Sequence, residues 1–593
     1  MTQTMRLGGG MIDRSKPLNF RFDGKSYQGF DGDTLASALM ANDVRLIGRS
    51  FKYHRPRGVL TAGSDEPNAL VELREGARRE PNSRATVAEL FDGLVAQSQN
   101  RWPSLSFDAL AINDRFSNFL TAGFYYKTFM WPAAFWEKLY EPIIRRAAGL
   151  GSLSLAEDPD SYDKGFLHCD LLIIGAGPAG LSAALTAARA GAEIILADED
   201  FRLGGRLNSE THPLDDAPAS DWINASIAEL ESLPNVRLMP RTTVIGAFDH
   251  GIFGAVERVS DHLLTPPEGK PRQTLWRIYT KRSLLAAGAA ERPIAFPNND
   301  RPGILLAGAL QSYVNRWAAT PARRIAVFTN NDTGHRTALD LIAKGIEIAA
   351  VIDPRPDVTR TGDYPLLAGA VVSNTAGRLG LKSIEVRLAS GEMRRLECQA
   401  LAVSGGWNPN VHMTCHKRGL PVWDEGIAAF VPGETGAQGM FVAGAAEGRF
   451  STADALTRGM EQAIVALGEL DRKAHTIALP KAENDTGSIT PCWQVKGGKG
   501  RAWLDFQNDV TTKDVKLAHQ EGFRSVEHLK RYTTLGMATD QGPPIWARWR
   551  SWRNWRENPS PKPAPPSIVH PIRRLPSPPL PGVPVGQISA RPA

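Results

Sequence analysis

Three glycines and one acid hold the clearest chemistry in the chain. Gly175, Gly177 and Gly180 follow the apolar run Asp170–Ile174 in the order G-x-G-x-x-G, and an Ala-rich stretch comes after them. About 20 residues further on, Asp198 ends a second apolar run, Glu193–Ala197. Each position has a task in gripping a dinucleotide. Gly175 allows a tight turn, Gly177 lets the backbone approach a pyrophosphate, and Gly180 lets a helix pack closely on a strand. Unpaired N–H groups and the dipole at the helix start favour the phosphates. Asp198 would accept the hydroxyls of the adenosine ribose, and its charge would repel a 2′-phosphate, which favours NAD over NADP. A lone G-x-G-x-x-G is a weak signal; a strand before it, a helix after it and a properly spaced acid make it strong. The alternative is a vestigial unit that holds nothing.

Such residues need a parallel sheet backed by helices. The predicted fold class is α/β: a Rossmann-type two-dinucleotide-binding-domain fold, preceded by a ferredoxin-like α+β domain and followed by a short helical unit and a disordered tail. Residues 166–320 are expected to form the first part of the dinucleotide-binding domain and residues 396–480 its return. Between them, residues 321–395 read as an inserted second Rossmann-like domain. Its segment Ala322–Arg355 has strand, helix, strand and a closing Asp353, but Gly334 is its one loop glycine. Asn330, Asn331 and Asp332 stand where backbone approach would need glycine, so no dinucleotide is expected there. The return contains Leu401–Asn410 and Gly439–Ala463, whose glycines fit either a closing nucleotide motif or plain strand-to-helix packing.

Residues 1–100 begin with two short strands, a turn and a helix from Thr34 capped by Asp33. Residues 101–165 are aromatic-rich and read as a bridging or docking segment. The span Phe124–Ile144 is apolar but carries Lys127, Glu137, Lys138 and Glu141, too many charges for a bilayer helix. Residues 490–542 read as a small helical domain, with Thr511 or Thr512 starting one helix and Ser525 capping another.

Composition removes several classes of function. Four scattered cysteines, Cys169, Cys398, Cys415 and Cys492, make neither a disulfide framework nor a thiolate metal site, and a reducing, cytoplasmic setting is expected. The amino terminus lacks a signal-peptide core. The chain carries 69 Lys and Arg against 63 Asp and Glu; eight and one of these fall beyond Pro543, leaving 61 against 62. The body is near neutral, so neither nucleic acid nor a membrane is an expected partner. Isolated histidines such as His168, His335 and His416 are expected to be surface or core residues. No residue is assigned a catalytic role.

The first unit resembles the plant-type ferredoxin fold, whose members bind a [2Fe–2S] cluster through four thiolates. No cysteine precedes Cys169, so the fold is expected without a cluster, with His54–Val71 filling the ligand loop. Leu203-Gly204-Gly205-Arg206 resembles the loop over the pyrophosphate in glutathione-reductase-type flavoproteins, or is an ordinary turn. In FAD-binding members of that fold the last motif reads Gly-Asp; here it is Gly444-Ala445, which shifts the expected cofactor from FAD toward NAD.

Longer stretches are more specific. GFDGDTLASALMAND, GRSFKYHRPRGVLTAG, GFYYKTFMWP and DFQNDVTTKDVKLAHQEGFRSVEHLKRYTTLGMATDQG, in that order, resemble sarcosine oxidase α subunits, with a likeness covering residues 18–542. The resemblance implies a heterotetramer with β, γ and δ subunits. It converts sarcosine, O2 and tetrahydrofolate to glycine, H2O2 and methylenetetrahydrofolate. Sarcosine is oxidised on FAD in β, FMN lies at the α/β interface, and α binds NAD. Carried over by motif position, the NAD contacts are Gly175, Gly177, Ala179, Gly180, Asp198, Glu199, Asp200, Gly205, Arg206, Val244, Ala445, Phe450 and Thr452. Two other readings stand beside this one. A self-sufficient NAD(P)H-dependent FAD oxidoreductase of the disulfide-reductase type would call for a redox CxxC pair or a convincing second nucleotide site, and the sequence shows neither. An α subunit of an amine or cyanide-forming dehydrogenase would call for amino-terminal cysteines.

Residues 543–593 hold about a third of the 42 prolines and a Trp at every third position from Trp546 to Trp555. They read as a disordered interaction tail or, preferably, as the product of a frameshift. Shifting the codons of Trp549–Pro559 by one base can yield a helical stretch, and the shift would remove the folate-binding carboxy-terminal region.

Overall fold

The computed structural model describes residues 3–538, except 128–130, 133, 148, 417–418, 434–437, 485–486 and 488. The expectations for the tail and the frameshift, with the folate region they concern, lie outside the described residues.

The amino-terminal unit is a five-stranded mixed sheet, ordered Lys25–Asp31, Asp13–Phe22, Leu94–Ser98, Leu70–Leu73, Glu80–Arg84. Strand Asp13–Phe22 runs parallel to Leu94–Ser98 and antiparallel to its hairpin partner. Helix Leu35–Ala41, buried at every position, packs against this sheet. Thr34, not Asp33, is its cap: the Thr34 hydroxyl accepts from Ser37 N–H (3.2 Å), and the Ser37 hydroxyl accepts from Thr34 N–H (2.9 Å). Asp33 sits one position earlier and accepts from the Ser37 hydroxyl and from Arg6, which displaces the cap by one residue.

The second unit is a seven-stranded sheet. Val236–Met239, Ile194–Ala197, Tyr162–Ile174 and Gln273–Leu285 are parallel, Met440–Val442 joins the end of Gln273–Leu285, and Thr242–Ala247 and Ile252–Glu257 form an antiparallel flap. Helices Pro178–Arg189 and Thr452–Gly468 pack together behind it. The segments Leu171–Ile174 and Ile194–Ala197 are apolar and buried because helices and loops cover both faces of the parallel sheet there.

A third unit holds a five-stranded parallel sheet ordered Ile304–Leu306, Ala400–Ser404, Arg324–Thr329, Glu347–Asp353, Leu366–Ala368. This pairing moves the expected boundaries. Ile304–Leu306 and Ala400–Ser404 belong to the inserted unit, so the insert extends beyond 321–395 on both sides. The chain regains the first nucleotide sheet only at Met440. The leading strand also starts at Tyr162, inside the segment expected to be a bridge.

The last described unit is not purely helical. A hairpin, Trp503–Asp505 with Val510–Thr511, precedes helices Thr512–Gln520 and Val526–Thr533. Thr511 caps the first with a reciprocal Asp514 contact, whereas Ser525 makes no side-chain cap bond. Among the described residues no helix is long and apolar enough to cross a membrane.

Candidate functional site

The G-x-G-x-x-G turn does what its residue types allow. Gly175 has φ +101°, and a Cβ there would stand 2.4 Å from the Ala286 carbonyl oxygen. A Cβ on Gly180 would meet the Gly175 oxygen at 1.8 Å, so the helix sits directly on the strand end. Helix Pro178–Arg189 begins at Gly177 with no side-chain cap, and Pro178 lacks an N–H in any case. Its first turn therefore presents backbone donors that no side chain satisfies. Gly177 and Gly205 lie back to back: a Cβ on Gly205 would meet the Gly177 Cα at 2.8 Å. The double glycine thus covers the helix start, as a pyrophosphate lid requires.

A cavity of about 450 Å³ opens over this turn. Of the expected contacts, Gly175, Gly177, Ala179, Asp198, Glu199, Gly205, Arg206, Val244, Ala445 and Phe450 line it. Gly180, Asp200 and Thr452 stand behind the wall. Gly180 serves packing. Asp200 turns away into a two-point ion pair with Arg316 (2.5 and 2.8 Å). The Thr452 hydroxyl and the Phe450 carbonyl accept from Arg206 (2.8 and 2.6 Å), fixing that guanidinium across the helix start.

Asp198 ends strand Ile194–Ala197 at the cavity floor. One of its oxygens accepts from Ala176 N–H (2.6 Å), the other from Asp200 N–H (2.8 Å). Burial, reinforced by the Asp200 carboxylate, pushes its pKa up to about 6 against those two N–H groups. The rest of the acidic edge is held by the amino-terminal unit: the Ser64 hydroxyl donates to Glu199 (2.7 Å), and Arg241 pairs with Glu89 (2.7 Å).

Both sheets contribute to the cavity. The inserted unit supplies Asn331, Asp332, Thr333 and Trp407. Its own nucleotide position is filled by side chains. Asp353, where a ribose acid would stand, bonds His335 Nε2 (2.9 Å) and Arg355 (2.8 Å), and His335 Nδ1 meets the Tyr364 hydroxyl (2.9 Å). His335 is a buried core residue, His416 bonds the Ala247 main chain (3.2 Å), and exposed His168 stacks on Tyr279 (5.1 Å).

Two groups can be tested against the residues present. For a flavin held through its ribityl chain, the carboxylate position carries Ala445, and the next acid, Glu447, pairs with Arg458 through both oxygens (2.7 and 3.0 Å). For an iron–sulfur cluster, residues 15–101 contain no cysteine. The loop that would embrace it closes instead on Glu66. That buried carboxylate accepts N–H bonds from Leu60 (2.8 Å), Thr61 (2.7 Å), Asn68 (2.7 Å) and Ala69 (3.0 Å). The loop's inward-facing donors are spent on this internal carboxyl group, whose pKa burial pushes up to about 7, and a thiolate-bound cluster does not fit. The four cysteines lie elsewhere, unpaired, and burial raises each thiol pKa.

One wall residue escaped sequence reasoning. His412 lines the cavity just beyond the Leu401–Asn410 return segment. It belongs to no recognised spacing, and only the path of the turn brings it there.

Comparison with known proteins agrees with this architecture. Residues 15–101 match the 2Fe-2S iron-sulfur cluster binding domain family, 170–237 the FAD dependent oxidoreductase family, and 499–545 the sarcosine oxidase A3 domain. The chain is 51% identical over 538 residues to sarcosine oxidase subunit alpha of Rhizobium meliloti (strain 1021), covering 90% of this chain and 54% of that protein. It is 35% identical over 566 residues to the subunit of the same name from Corynebacterium sp. (strain U-96), covering 90% and 53%. The solved structure of L-proline dehydrogenase from P. horikoshii superposes with a TM-score of 0.63 over 94% of this chain and 96% of that one, at 19% identity, a likeness of fold. The chain spans about half the length of the curated relatives it matches. On this sequence identity and on the A3 domain match, the chain is similar to sarcosine oxidase α subunits.

Proposed function

We propose that this chain is the nucleotide-holding α subunit of a sarcosine-oxidising flavoprotein complex, with NAD in the cavity above Gly177. The observation that supports it most is the juxtaposition of an uncapped helix start, the Gly177–Gly205 contact and the ribose acid Asp198 on one cavity wall. Phosphate oxygens would take the backbone donors of the first helical turn. Arg206, held by Phe450 and Thr452, would add charge beside them. Asp198 would accept the ribose hydroxyls, and Glu199 beside it would repel a 2′-phosphate. A bound nucleotide would supply hydride-carrying capacity; the residues named here would bind and orient it. Amine oxidation is assigned to FAD in a β partner, FMN to the α/β interface, and γ and δ subunits complete the assembly. These assignments follow the family likeness.

A second reading places FAD itself in the cavity, and the FAD dependent oxidoreductase match over 170–237 favours it. Ala445 and the Glu447–Arg458 pair oppose it. Denaturing the purified chain and identifying what it releases separates the two. NAD, lost on Asp198→Lys with the fold intact, is the expected result. Released flavin, or NAD retention unchanged in Asp198→Lys, defeats the assignment.

A further inference from the structure

Asp198 marks where a ribose would sit, and the chain shows which way the base must lie. Thr242 N–H donates to the Asp198 carbonyl (2.7 Å), so strand Thr242–Ala247 starts beside the ribose acid and leads away from the phosphates. That strand is the outer edge of its sheet, and its register breaks between Val244 and Gly246. Packed against it is the turn Asn410–His416. Both ends of the turn are tied to main chain: Asn410 N–H and Nδ2 donate to Gly288 (3.1 Å) and Ala287 (2.7 Å), and His416 bonds Ala247 (3.2 Å). Met413, 2% exposed, plugs the turn into the apolar cluster of Val244, Ala247 and Leu285.

Asn410 and His412 of this turn both line the cavity, and the Asn410 amide is already bonded to Ala287. His412 lines the wall beside Val244, Ala287 and Gly288, and makes no hydrogen bond or ion pair among the described residues. Burial, with His416 nearby, holds its pKa down to about 4, so the ring is neutral near pH 7 and offers one donor and one acceptor. A half-buried neutral imidazole is worth little to packing and much to a ligand that brings one matching donor or acceptor.

We infer that His412 reads the edge of the purine base, one ring nitrogen accepting from the exocyclic amine of adenine. This rests on the proposed dinucleotide reading and adds the residue that selects the base. The full chain, stripped of nucleotide, is titrated with NAD and with its hypoxanthine analogue, in which the amine is replaced by an oxo group. Wild type should prefer NAD. His412→Phe should weaken NAD about 3- to 10-fold and bind the two ligands alike. His412→Gln, which keeps a donor and an acceptor, should restore much of the preference. A His412→Phe chain that still binds NAD as tightly and as selectively as wild type overturns the inference and leaves the dinucleotide reading standing. Failure of the wild-type chain to bind NAD overturns both, and is told apart by that first titration.

Discussion

Glu291 shows how one buried side chain can tie stability to pH. It is 4% exposed, and its Oε2 accepts from Gly308 N–H (2.7 Å) at the start of helix Ala307–Asn315. Burial pushes its pKa up to about 8, against roughly 4.3 for a free glutamate. The folded state therefore holds a proton that the unfolded chain has released. That stabilisation is fully present below about pH 4.3 and is lost as pH rises through about 8, at up to about 1.4 kcal/mol per pH unit. Glu291→Gln keeps the shape and removes the titration. Melting temperature followed from pH 5 to 9 should fall less steeply for Glu291→Gln than for wild type; parallel curves would refute the point. Asp198 belongs to the same scale, but its two N–H partners oppose burial, and a bound ribose would add to them.

At the scale of elements, the nucleotide turn depends on how two helices meet. A Cβ on Gly459, in helix Thr452–Gly468, would stand 2.1 Å from the Ala179 carbonyl oxygen and 2.4 Å from Ser182 Oγ. The Ser182 hydroxyl donates to Leu456 O (2.6 Å), so it cannot swing aside without losing that bond. Gly459→Ala should force the helices apart, cost roughly 1–3 kcal/mol and loosen nucleotide retention. Gly468→Ala, at the open end of the same helix with nothing within 4 Å, should leave the melting temperature unchanged or slightly raised. Equal behaviour of the two variants would show that the close approach is unimportant. The glycine fingerprint was legible in the sequence because its spacing is local: Gly180 must clear the Gly175 oxygen five residues before it, although Gly175 and Gly177 also answer to Ala286 and Gly205. The limits of the insert were not. Ile304–Leu306 and Ala400–Ser404 are short apolar runs that look alike whichever parallel sheet receives them, and their pairing is decided by strands distant in sequence. His412 was hidden for the same reason, since only the fold of the turn on Val244 and Ala287 directs it to the cavity. The Thr34 cap was misplaced by one residue because Asp and Thr both serve as caps, and a salt bridge to Arg6 drew Asp33 away.

Across the whole molecule, the stretch GRSFKYHRPRG acts as a joint between units. Arg57 bridges Asp300 of the inserted unit and Asp509 of the carboxy-terminal unit, the latter at 2.6 Å, with all three side chains buried. Asp509 also accepts the N–H groups of Lys52 (2.8 Å) and Tyr53 (3.1 Å), while Arg55 grips Asp300 at 2.6 Å. Arg55, Arg57 and Arg501 surround the Trp503 ring at 5.1–5.3 Å. Removing the Asp509 charge leaves Arg57 to Asp300 alone and the Lys52 and Tyr53 N–H groups without a charged acceptor, at a cost below the roughly 3–5 kcal/mol of leaving a buried charge unpaired. Asp509→Asn should lower the melting temperature and expose the 499–538 region to limited proteolysis before the rest; simultaneous cleavage everywhere would count against a joint. The amino-terminal unit has a second hold, on the nucleotide domain. Ser64 reaches Glu199, Glu89 pairs with Arg241, and Arg258 links the carbonyls of Val87 and Glu199. Through Glu199 and Arg241 this seam steadies the acidic rim beside Asp198, so loosening it would be felt at the cavity although no described residue of the amino-terminal unit lines the wall.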